Sequence, residues 1–409
     1  MTENTFKKIP NELWIILASA SGNIDKTQNL LQKPVNWDVL LQMALHHRVY
    51  SLVYETFNQL NNHGIHESTI GYLKRKYEVN AIQGLYLTGE TVRMVKCLES
   101  QGIHAVVLKG PPLALRLYGD VAIRPYQDID ILVPPDELVK AQGILEKEGY
   151  CEIDNPYPKH IFTPGQSMII KRSLSQKFHV NYWHNTKNVN IELHWRYGKS
   201  IHELPFPNES SINRIEIAGY PLPVLCDEDW LIYLILHGAG HAWFRLRWLV
   251  DIARFAQQEG INWEKTVNMA KSVGIQTLLH QSLILANRLL DIPIPANLKT
   301  IVDSDRAAWR LSQLAIKVCI AIAEYEIWGS NGLGVSYWQS IYNFYARREW
   351  KKRFYFVLKN LQKLFSPSVY DFMDISLPDR LLGLYYVLHP FCFLYRRYRG
   401  SVNRKWEEI

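Results

Sequence analysis

Two aspartates begin an apolar run, Asp128-Ile-Asp-Ile-Leu-Val133, which constrains the fold more than any other segment of the chain. Its length and branched side chains predict a buried β-strand. Residues two apart on a strand point to the same face, so Asp128 and Asp130 project together. A divalent metal ion bound by both removes the repulsion between the carboxylates. The alternative, an aspartate pair in a surface turn, fits an apolar strand less well because unpaired acids are costly to bury.

A glycine turn upstream and an acid downstream extend this predicted site. Val106-Val-Leu-Lys-Gly110 indicates a short strand that leads into a helix beginning with two prolines. The helix N-terminus offers backbone N–H groups and Lys109 offers a cation, and both attract phosphate. Asn190-Ile-Glu-Leu-His-Trp195 predicts a further strand with Glu192 as the third acid, an assignment that depends on how the strands pair. Arg124 has two interpretations of equal weight, contact with a triphosphate or pairing with an acid.

A histidine pair marks a helix further along the chain. His237 and His241 are four residues apart and share one helix face. Gly238 stands where a zincin motif has glutamate, and two histidines provide too few ligands for a catalytic zinc. We expect this face to border a polar cleft, and histidines packed in the core are the alternative. The same segment contains two further polar side chains of interest, Arg247 and Asp251.

Helical periodicity predicts most of the chain on either side of these strands. The chain has 409 residues, of which 47% are hydrophobic and 21% charged, as is typical of a globular protein with more than one domain. We expect an α+β fold, with a small mixed β-sheet core and extensive N- and C-terminal helical regions. The predicted regions are an N-terminal helical region (1–100), an α/β core (101–225), a helical domain that closes the site (226–330) and a basic, aromatic C-terminal helical region (331–409).

The order of several motifs resembles an uncharacterised bacterial nucleotidyltransferase family of the DNA-polymerase-β-like superfamily. Lys-Gly stands here where the superfamily commonly has Gly-Ser or Gly-Gly, and the third acid is Glu instead of the commoner Asp. The matching segments are Leu108-Lys-Gly110, Leu117-Tyr118, Arg124-Pro125, Asp128-Ile-Asp-Ile-Leu-Val133, Ile191-Glu-Leu-His-Trp195 and His237-Gly-Ala-Gly-His-Ala-Trp-Phe-Arg-Leu-Arg-Trp-Leu-Val-Asp-Ile252.

The resemblance implies a metal-dependent transfer of a nucleoside monophosphate from an NTP, such as ATP, to an acceptor hydroxyl. It implies that Asp128, Asp130 and Glu192 are catalytic and hold Mg²⁺ or Mn²⁺, with Lys109 and Gly110 at the phosphates. The acceptor is a small molecule, peptide or protein, and family members resemble accessory proteins of peptide modification or cell-surface polysaccharide biosynthesis. We add five further residues to the predicted nucleotide contacts: Arg124, His237, His241, Arg247 and Asp251.

Two other functions fit parts of the same pattern. The departure at Lys109-Gly110 leaves open a degenerate, non-catalytic domain that binds a nucleotide or a partner protein. A glycosyltransferase also uses Asp-x-Asp to bind a metal–nucleotide, but it requires neither Lys109-Gly110 nor a third acid. Release of pyrophosphate by the chain, in contrast to a nucleoside diphosphate, would distinguish nucleotidyl transfer from glycosyl transfer.

Cysteine usage and charge indicate the compartment and the partners. The chain has five cysteines and no Cys-x-x-Cys pair, which favours a reducing, cytoplasmic location over a disulfide framework. The N-terminus lacks an apolar signal core, and no apolar run is long enough to span a bilayer. The net charge of +7 is concentrated in 347–363 and 396–405, and we expect no nucleic-acid partner. We expect the apolar stretch 381–395 to pack on the core, with peripheral membrane contact as the alternative.

Overall fold

The chain forms two compact units, and its helices and mixed β-sheet confirm the expected α+β fold. The sheet unit comprises residues 1–154 and 179–346, and the C-terminal unit comprises residues 155–178 and 347–409. The computed structural model describes residues 6–60, 64–153, 163, 165–166, 178–196, 204, 206–328 and 333–407.

A seven-stranded sheet is the centre of the sheet unit, and its strand order is β3-β4-β5-β2-β1-β7-β6. Two pairs of neighbours, β2–β5 and β1–β7, run parallel, and the other pairs run antiparallel. The parallel pairs join strands that are far apart in sequence. The strands are β1 (Val106–Val107), β2 (Asp128–Leu132), β3 (Cys151–Glu152), β4 (His179–His184), β5 (Val189–His194), β6 (Ile212–Ile217) and β7 (Tyr220–Leu225).

Helices precede, separate and follow these strands. Those before the sheet are α1 (Asn11–Ser21), α2 (Ile24–Leu31), α3 (Trp37–His46), α4 (Tyr50–Gln59) and α5 (Glu67–Ser100). Those between its strands are α6 (Pro111–Tyr118) and α7 (Leu138–Lys147). Those after it are α8 (Asp227–Gly240), α9 (Leu246–Ala256), α10 (Trp263–Ser272), α11 (Gln276–Leu290), α12 (Lys299–Ser304), α13 (Arg306–Trp328) and α14 (Leu333–Tyr345). The N- and C-terminal helices of this unit share one hydrophobic core with the sheet.

The alternation expected for β2 is observed in its burial. Ile129 and Ile131 are fully buried on one face of the strand, and the aspartates therefore lie on the opposite face. Next to it, the short strand predicted in the segment 106–110 comprises only the two residues of β1. Gly110 has φ 76°, a backbone conformation that strongly favours glycine, and it turns the chain into α6 directly after this strand.

The hairpin of β6 and β7 was not predicted from the sequence. Pro221 and Pro223 lie within β7, and proline inside a run argues against a strand because it cannot donate to the ladder. The hairpin forms nevertheless through a two-residue turn at Ala218 and Gly219, which both have positive φ. That conformation matches the twist of paired strands.

The C-terminal unit is helical where it is described beyond residue 346. Its helices are α15 (Trp350–Phe365), α16 (Val369–Asp374) and α17 (Leu382–Glu407). One face of α17 is packed, with Tyr385 fully buried, but most of its other large apolar side chains are exposed. We expected the stretch 381–395 to pack on the core, and this expectation is wrong for the exposed face of α17. Among the described helices, none combines the length and the hydropathy needed to cross a bilayer.

Candidate functional site

The parallel pairing of β2 with β5 brings the three predicted acids to one face of the sheet. Asp130 lies directly opposite Glu192, and Asp128 lies opposite Asn190. Residues in register on neighbouring strands project from the same face, so the three carboxylates share it. Asp130 is buried, whereas Asp128 and Glu192 are partly exposed. The geometry agrees with the predicted set, and the role of these acids as metal ligands stays a prediction.

Asp130 forms a buried ion pair with Lys109. The Lys109 Nζ atom lies 2.9 Å from Asp130 Oδ1. Burial raises the pKa of the Asp130 carboxyl, but Lys109 and His194 outweigh burial and hold that pKa well below its usual range. Burial lowers the pKa of the Lys109 ammonium, and its acidic neighbours, Asp130 foremost, raise it above its ordinary value. Both groups are therefore charged at neutral pH.

The second oxygen of Asp130, Oδ2, is buried and has no hydrogen-bond partner within the described part of the chain. A buried charged oxygen without a partner is costly, and a bound cation would satisfy it. The set of Asp128, Asp130 and Glu192 supplies the oxygen ligands that Mg²⁺ prefers. The residues therefore fit a divalent cation.

Two histidines, both absent from the predicted site, lie beside the acids. His194 Nε2 lies 3.2 Å from Asp130 Oδ1 and 3.3 Å from Glu192 Oε2. Burial lowers the pKa of His194, but the two carboxylates raise it above its usual value. His179 pairs with His194 across β4 and β5, and their ring centroids are 5.0 Å apart. Period-two alternation from Glu192 to His194 was a signal in the sequence that could have identified this histidine.

The Lys109-Gly110 turn offers fewer phosphate donors than the sequence predicted. Leu108 N donates to Asp130 O at 3.0 Å, which fixes the end of β1 beside β2. The following helix has proline at its first two positions, Pro111 and Pro112. Proline has no N–H group, so two of the donors expected at this helix N-terminus are missing. Lys109 is thus the main contribution of this turn, and its ammonium contacts Asp130.

Arg124 and Asp251 form a second buried ion pair. Arg124 Nη2 donates to Asp251 Oδ2 at 2.8 Å, and its Nε atom lies 3.0 Å from Oδ1. The Tyr118 hydroxyl donates to Asp251 Oδ1 at 2.9 Å. Of the two interpretations of Arg124, the structure thus shows pairing with an acid. This mutual pairing favours a structural role for both residues, and their contact with a nucleotide stays a prediction with less support.

Three arginines surround the entry to β2. Arg48 Nη2 donates to Gln127 Oε1 at 2.6 Å, and Arg247 Nη1 donates to the Pro125 carbonyl. Burial and repulsion from Arg48 lower the pKa of Arg245 to about 10, although Asp128 opposes the shift. Burial and repulsion from Arg124 and Arg48 lower the pKa of Arg247 to about 9.

These guanidinium groups are incompletely paired. The Nε atoms of Arg245 and Arg247 are buried and have no hydrogen-bond partner in the residues that the structure describes. Buried cations that repel one another and retain unused donors are suited to binding an anion. Arg247 was predicted at the nucleotide site, but Arg48 was missed because it lies in the N-terminal helical region, 80 positions before Asp128.

The histidine pair of α8 packs against an aromatic side chain of α9. The His241 ring stacks on Trp248 at 4.8 Å, and His237 meets the edge of the same indole at 5.0 Å. A Cβ atom at Gly238 would lie 2.5 Å from the Trp243 ring, so this position accepts only glycine. Both histidines are half-buried, so they lie at the edge of the core with their rings packed on Trp248.

The same helix also reaches the acid cluster. Tyr233 lies one turn before His237, with ring centroids 6.1 Å apart. Burial raises the pKa of the Tyr233 hydroxyl, although the charge of the neighbouring Lys109 opposes this shift. The histidine face is therefore connected to Lys109 through one side chain. Whether these histidines contact a nucleotide stays a prediction.

Comparison with known proteins agrees with this geometry. A family model described as an uncharacterised nucleotidyltransferase matches residues 33–291, which is more than half of the chain. No curated protein and no solved structure matches the chain. The matched range contains β1 to β7, Lys109, the three acids and the three arginines. The chain therefore belongs to this uncharacterised nucleotidyltransferase family.

Proposed function

We propose that the chain transfers a nucleoside monophosphate from an NTP to an acceptor hydroxyl, with pyrophosphate as the leaving group. The observation that carries this proposal is the pairing of Asp130 with Glu192 beside Asp128, with a buried carboxylate oxygen left for a cation. The membership in a nucleotidyltransferase family supports the same reaction class. An Mg²⁺ or Mn²⁺ ion held by these acids would lower the pKa of the acceptor hydroxyl and stabilise charge on the α-phosphate.

The protein's own cations fit the charge of the triphosphate. Lys109 provides a buried ammonium group whose charge is balanced either by Asp130 or by a phosphate oxygen. Arg245 and Arg247 provide buried Nε donors that remain unused in the described structure. Guanidinium groups bind phosphate oxygens with two donors at once, so this arginine cluster suits the β- and γ-phosphates.

The proposal extends to the acceptor and the compartment. The acceptor hydroxyl would belong to a peptide or to a cell-surface polysaccharide precursor. This proposal rests on the resemblance of family members to accessory proteins of peptide modification or polysaccharide biosynthesis. A cytoplasmic location agrees with the cysteines, because all five are free thiols.

A non-catalytic nucleotide-binding module is the second candidate. The observation that favours it is the short Lys109–Asp130 contact, which neutralises the most buried acid with a side chain of the protein itself. In such a module, NTP binds to the arginine cluster and is not turned over.

Product analysis tests both candidates. The purified chain is incubated with each NTP, Mg²⁺ and candidate acceptors, while pyrophosphate release and the mass of each acceptor are measured. We expect an acceptor that gains the mass of one nucleoside monophosphate together with one pyrophosphate. Binding of NTP by calorimetry without pyrophosphate release for any acceptor would favour the binding module instead.

A further inference from the structure

His179, Glu192 and His194 form a cluster of potential metal ligands on the acidic face of the sheet. Their ligand atoms lie within 4.8 Å of one another. Two ligands at about 2.1 Å from one ion lie at most about 4.2 Å apart, so small side-chain rotations bring all three within reach. Two imidazoles and one carboxylate form a ligand set that proteins use for several first-row transition metals.

We propose that this triad binds one transition-metal ion of the series from Mn²⁺ to Zn²⁺, in a site that differs in chemistry from the Mg²⁺ site of the proposed function. Mg²⁺ selects oxygen ligands, whereas imidazole nitrogen favours Zn²⁺, Co²⁺ and related ions. Glu192 belongs to both ligand sets, but the binding of a transition metal does not depend on nucleotidyl transfer.

The strands hold the three side chains in place before any ion binds. His179 lies opposite His194 in the β4–β5 ladder, and Glu192 precedes His194 by two residues on the same face. Val180 and Leu193, which are in register between these positions, are buried on the opposite face of the hairpin. Fixed backbone positions reduce the conformational entropy that ligand ordering would otherwise cost.

The surrounding charges also suit a cation at this point. His194 Nε2 is held between the carboxylates of Asp130 and Glu192, at 3.2 Å and 3.3 Å. An ion at Nε2 takes the place of a proton between the same two acids, so the negative charge needed for a divalent ion is already present. Asp130 would then be a neighbouring carboxylate that stabilises the bound ion.

Cobalt loading tests this site directly. The full chain is treated with a chelator, dialysed against Co²⁺ and examined by elemental analysis and by visible absorption of the bound ion. We expect one equivalent of Co²⁺ in the wild type and binding at least about 10-fold weaker in His179→Ala. His179→Gln provides a second variant of similar size, and circular dichroism shows that each variant is folded.

His237→Ala is the matched control, since His237, like His179, lies beside another histidine. We expect this variant to bind Co²⁺ as the wild type does. Absence of stoichiometric Co²⁺, or unchanged binding by both His179 variants, would overturn the proposal, as would loss of binding in His237→Ala alone. Because binding is measured without NTP, its failure is distinguishable from a failure of nucleotidyl transfer.

An independent observation concerns the surface of the C-terminal unit. Five large side chains on α15 recur at helical spacing and are each about half exposed or more. They are Trp350 (70%), Phe354 (59%), Leu358 (46%), Leu361 (51%) and Phe365 (53%). On α17 the same spacing recurs in Leu384, Val387, Phe391 and Leu394, which are 45%, 60%, 67% and 61% exposed. Exposed apolar area of this extent is typical of an interaction surface.

The charge of this segment indicates what it binds. Residues 347–409 contain 13 basic and 6 acidic side chains, so this segment alone accounts for the net charge of +7 of the whole chain. On α15, Lys351 lies beside the apolar stripe, whereas Lys352 and Lys359 lie on the opposite face of the helix. A helix with an apolar face and a lysine-rich polar face is typical of proteins that lie in the interface of an anionic membrane.

One side of α17 is fixed by contacts with α16. Asp371 of α16 is fully buried and pairs with His389 and Arg396 of α17, each at 2.7 Å. The Phe372 and Tyr385 rings pack edge to face at 4.7 Å. One side of α17 is thus committed to the unit, and its apolar stripe stays on the other side.

We infer that the stripes of α15 and α17 bind an anionic lipid surface. A second copy of the chain is the competing occupant, but two segments that each have an excess of seven positive charges repel one another. Sedimentation with phosphatidylcholine vesicles, with and without phosphatidylglycerol, tests the inference. We expect binding only to the anionic vesicles, with release at high salt.

The double variant Phe354→Ser/Leu361→Ser should lose most of this binding. Val139→Ser removes an even more exposed apolar side chain, on α7 of the sheet unit, and should bind the anionic vesicles as the wild type does. Equal sedimentation of both variants would overturn the inference, as would no binding by the wild type. A dimer in light scattering that the double variant abolishes would assign the surface to a second copy instead.

Discussion

Two buried ion pairs of the sheet unit differ in how completely their charges are satisfied. In the Arg124–Asp251 pair, the guanidinium group contacts both carboxylate oxygens and the Tyr118 hydroxyl supplies a further hydrogen bond. In the Lys109–Asp130 pair, Lys109 and His194 both contact Oδ1, and the buried Oδ2 atom has no partner in the described chain.

The difference separates a structural role from a functional one. A saturated buried pair has nothing left to bind, and it connects the chain before β2 to α9. An unsaturated pair retains a charged oxygen that has no partner, which lowers stability. Proteins retain such groups mainly at sites that bind a ligand. We therefore expect Arg124 and Asp251 to position the elements around the site, and Asp130 and its neighbours to bind a ligand.

The largest expected effect comes from breaking the saturated pair. Arg124→Met leaves the Asp251 carboxylate buried and uncompensated, so we expect the free energy of unfolding to fall by about 3–5 kcal/mol. Chemical denaturation measures it. Arg116→Met is the matched control, because the Arg116–Asp227 pair is partly exposed and should cost only about 0–1 kcal/mol.

Recovery in a double variant would sharpen this comparison. Arg124→Met/Asp251→Leu replaces both charges by apolar groups and should regain a large part of the lost stability. If Arg124→Met instead leaves stability unchanged but abolishes NTP binding, the structural assignment is wrong and the original nucleotide-contact prediction holds.

Substitution of the acids of the unsaturated site should abolish activity without unfolding the chain. We expect Asp128→Asn to reduce metal-dependent nucleotide turnover by at least about 100-fold, because a lost ligand charge weakens the stabilisation of the reacting phosphate. Asp130→Asn should have the same effect on turnover. Asp136→Asn, an exposed acid in the following loop, should retain full turnover. Wild-type turnover by either site variant would contradict the assignment.

A smaller effect is expected for the cations around the site. Lys109→Ala should weaken the binding of ATP by about 10-fold while adenosine binding changes little, because the ammonium group meets phosphate charge. Arg245→Gln should show the same preference. Calorimetry with both ligands measures it, and Arg288→Gln, on a helix of the same unit, serves as the control. Equal losses for ATP and adenosine would contradict a phosphate contact.

The smallest effect is expected for the histidines of α8. His237→Ala and His241→Ala should change ATP binding only a few-fold, roughly 1 kcal/mol or less, because Tyr233 lies between this face and Lys109. Calorimetry checks the affinity, and elemental analysis should find no zinc that depends on His241. Unchanged binding in both variants would leave only the packing role, and zinc lost with His241→Ala would reassign the pair to a metal site.

Local sequence patterns predicted the parts of the site that lie on one strand or turn. The alternation in β2 placed Asp128 and Asp130 on one face, and the glycine of the turn was correctly placed at the end of β1. Fewer phosphate donors follow this turn than expected, because two successive prolines remove N–H groups from the helix N-terminus. The hairpin of β6 and β7 was missed because prolines in β7 conceal a strand that its partners on both sides stabilise.

Residues from distant segments could not be placed in the same way. Arg48 comes from a loop before α4, and His179 reaches the site only through the β4–β5 pairing. Neither has a neighbour in sequence that marks it as functional, and many arrangements of helices and strands are compatible with the same periodicity. Their positions depend on which helix and sheet surfaces pack together, and the packing that buries the most apolar area is favoured.

The sequence by itself therefore determined the acidic strand, the turn before it, the helical periodicity and the family of the chain, since these depend on residues that are close together. Only the tertiary structure decided that β2 runs parallel to β5, which pairs Asp130 with Glu192, and that Lys109 contacts Asp130 while Arg124 contacts Asp251. The physical reason is that strand partners and buried ion pairs are selected by packing across the whole unit, whereas side-chain alternation is fixed by the backbone geometry of a single strand.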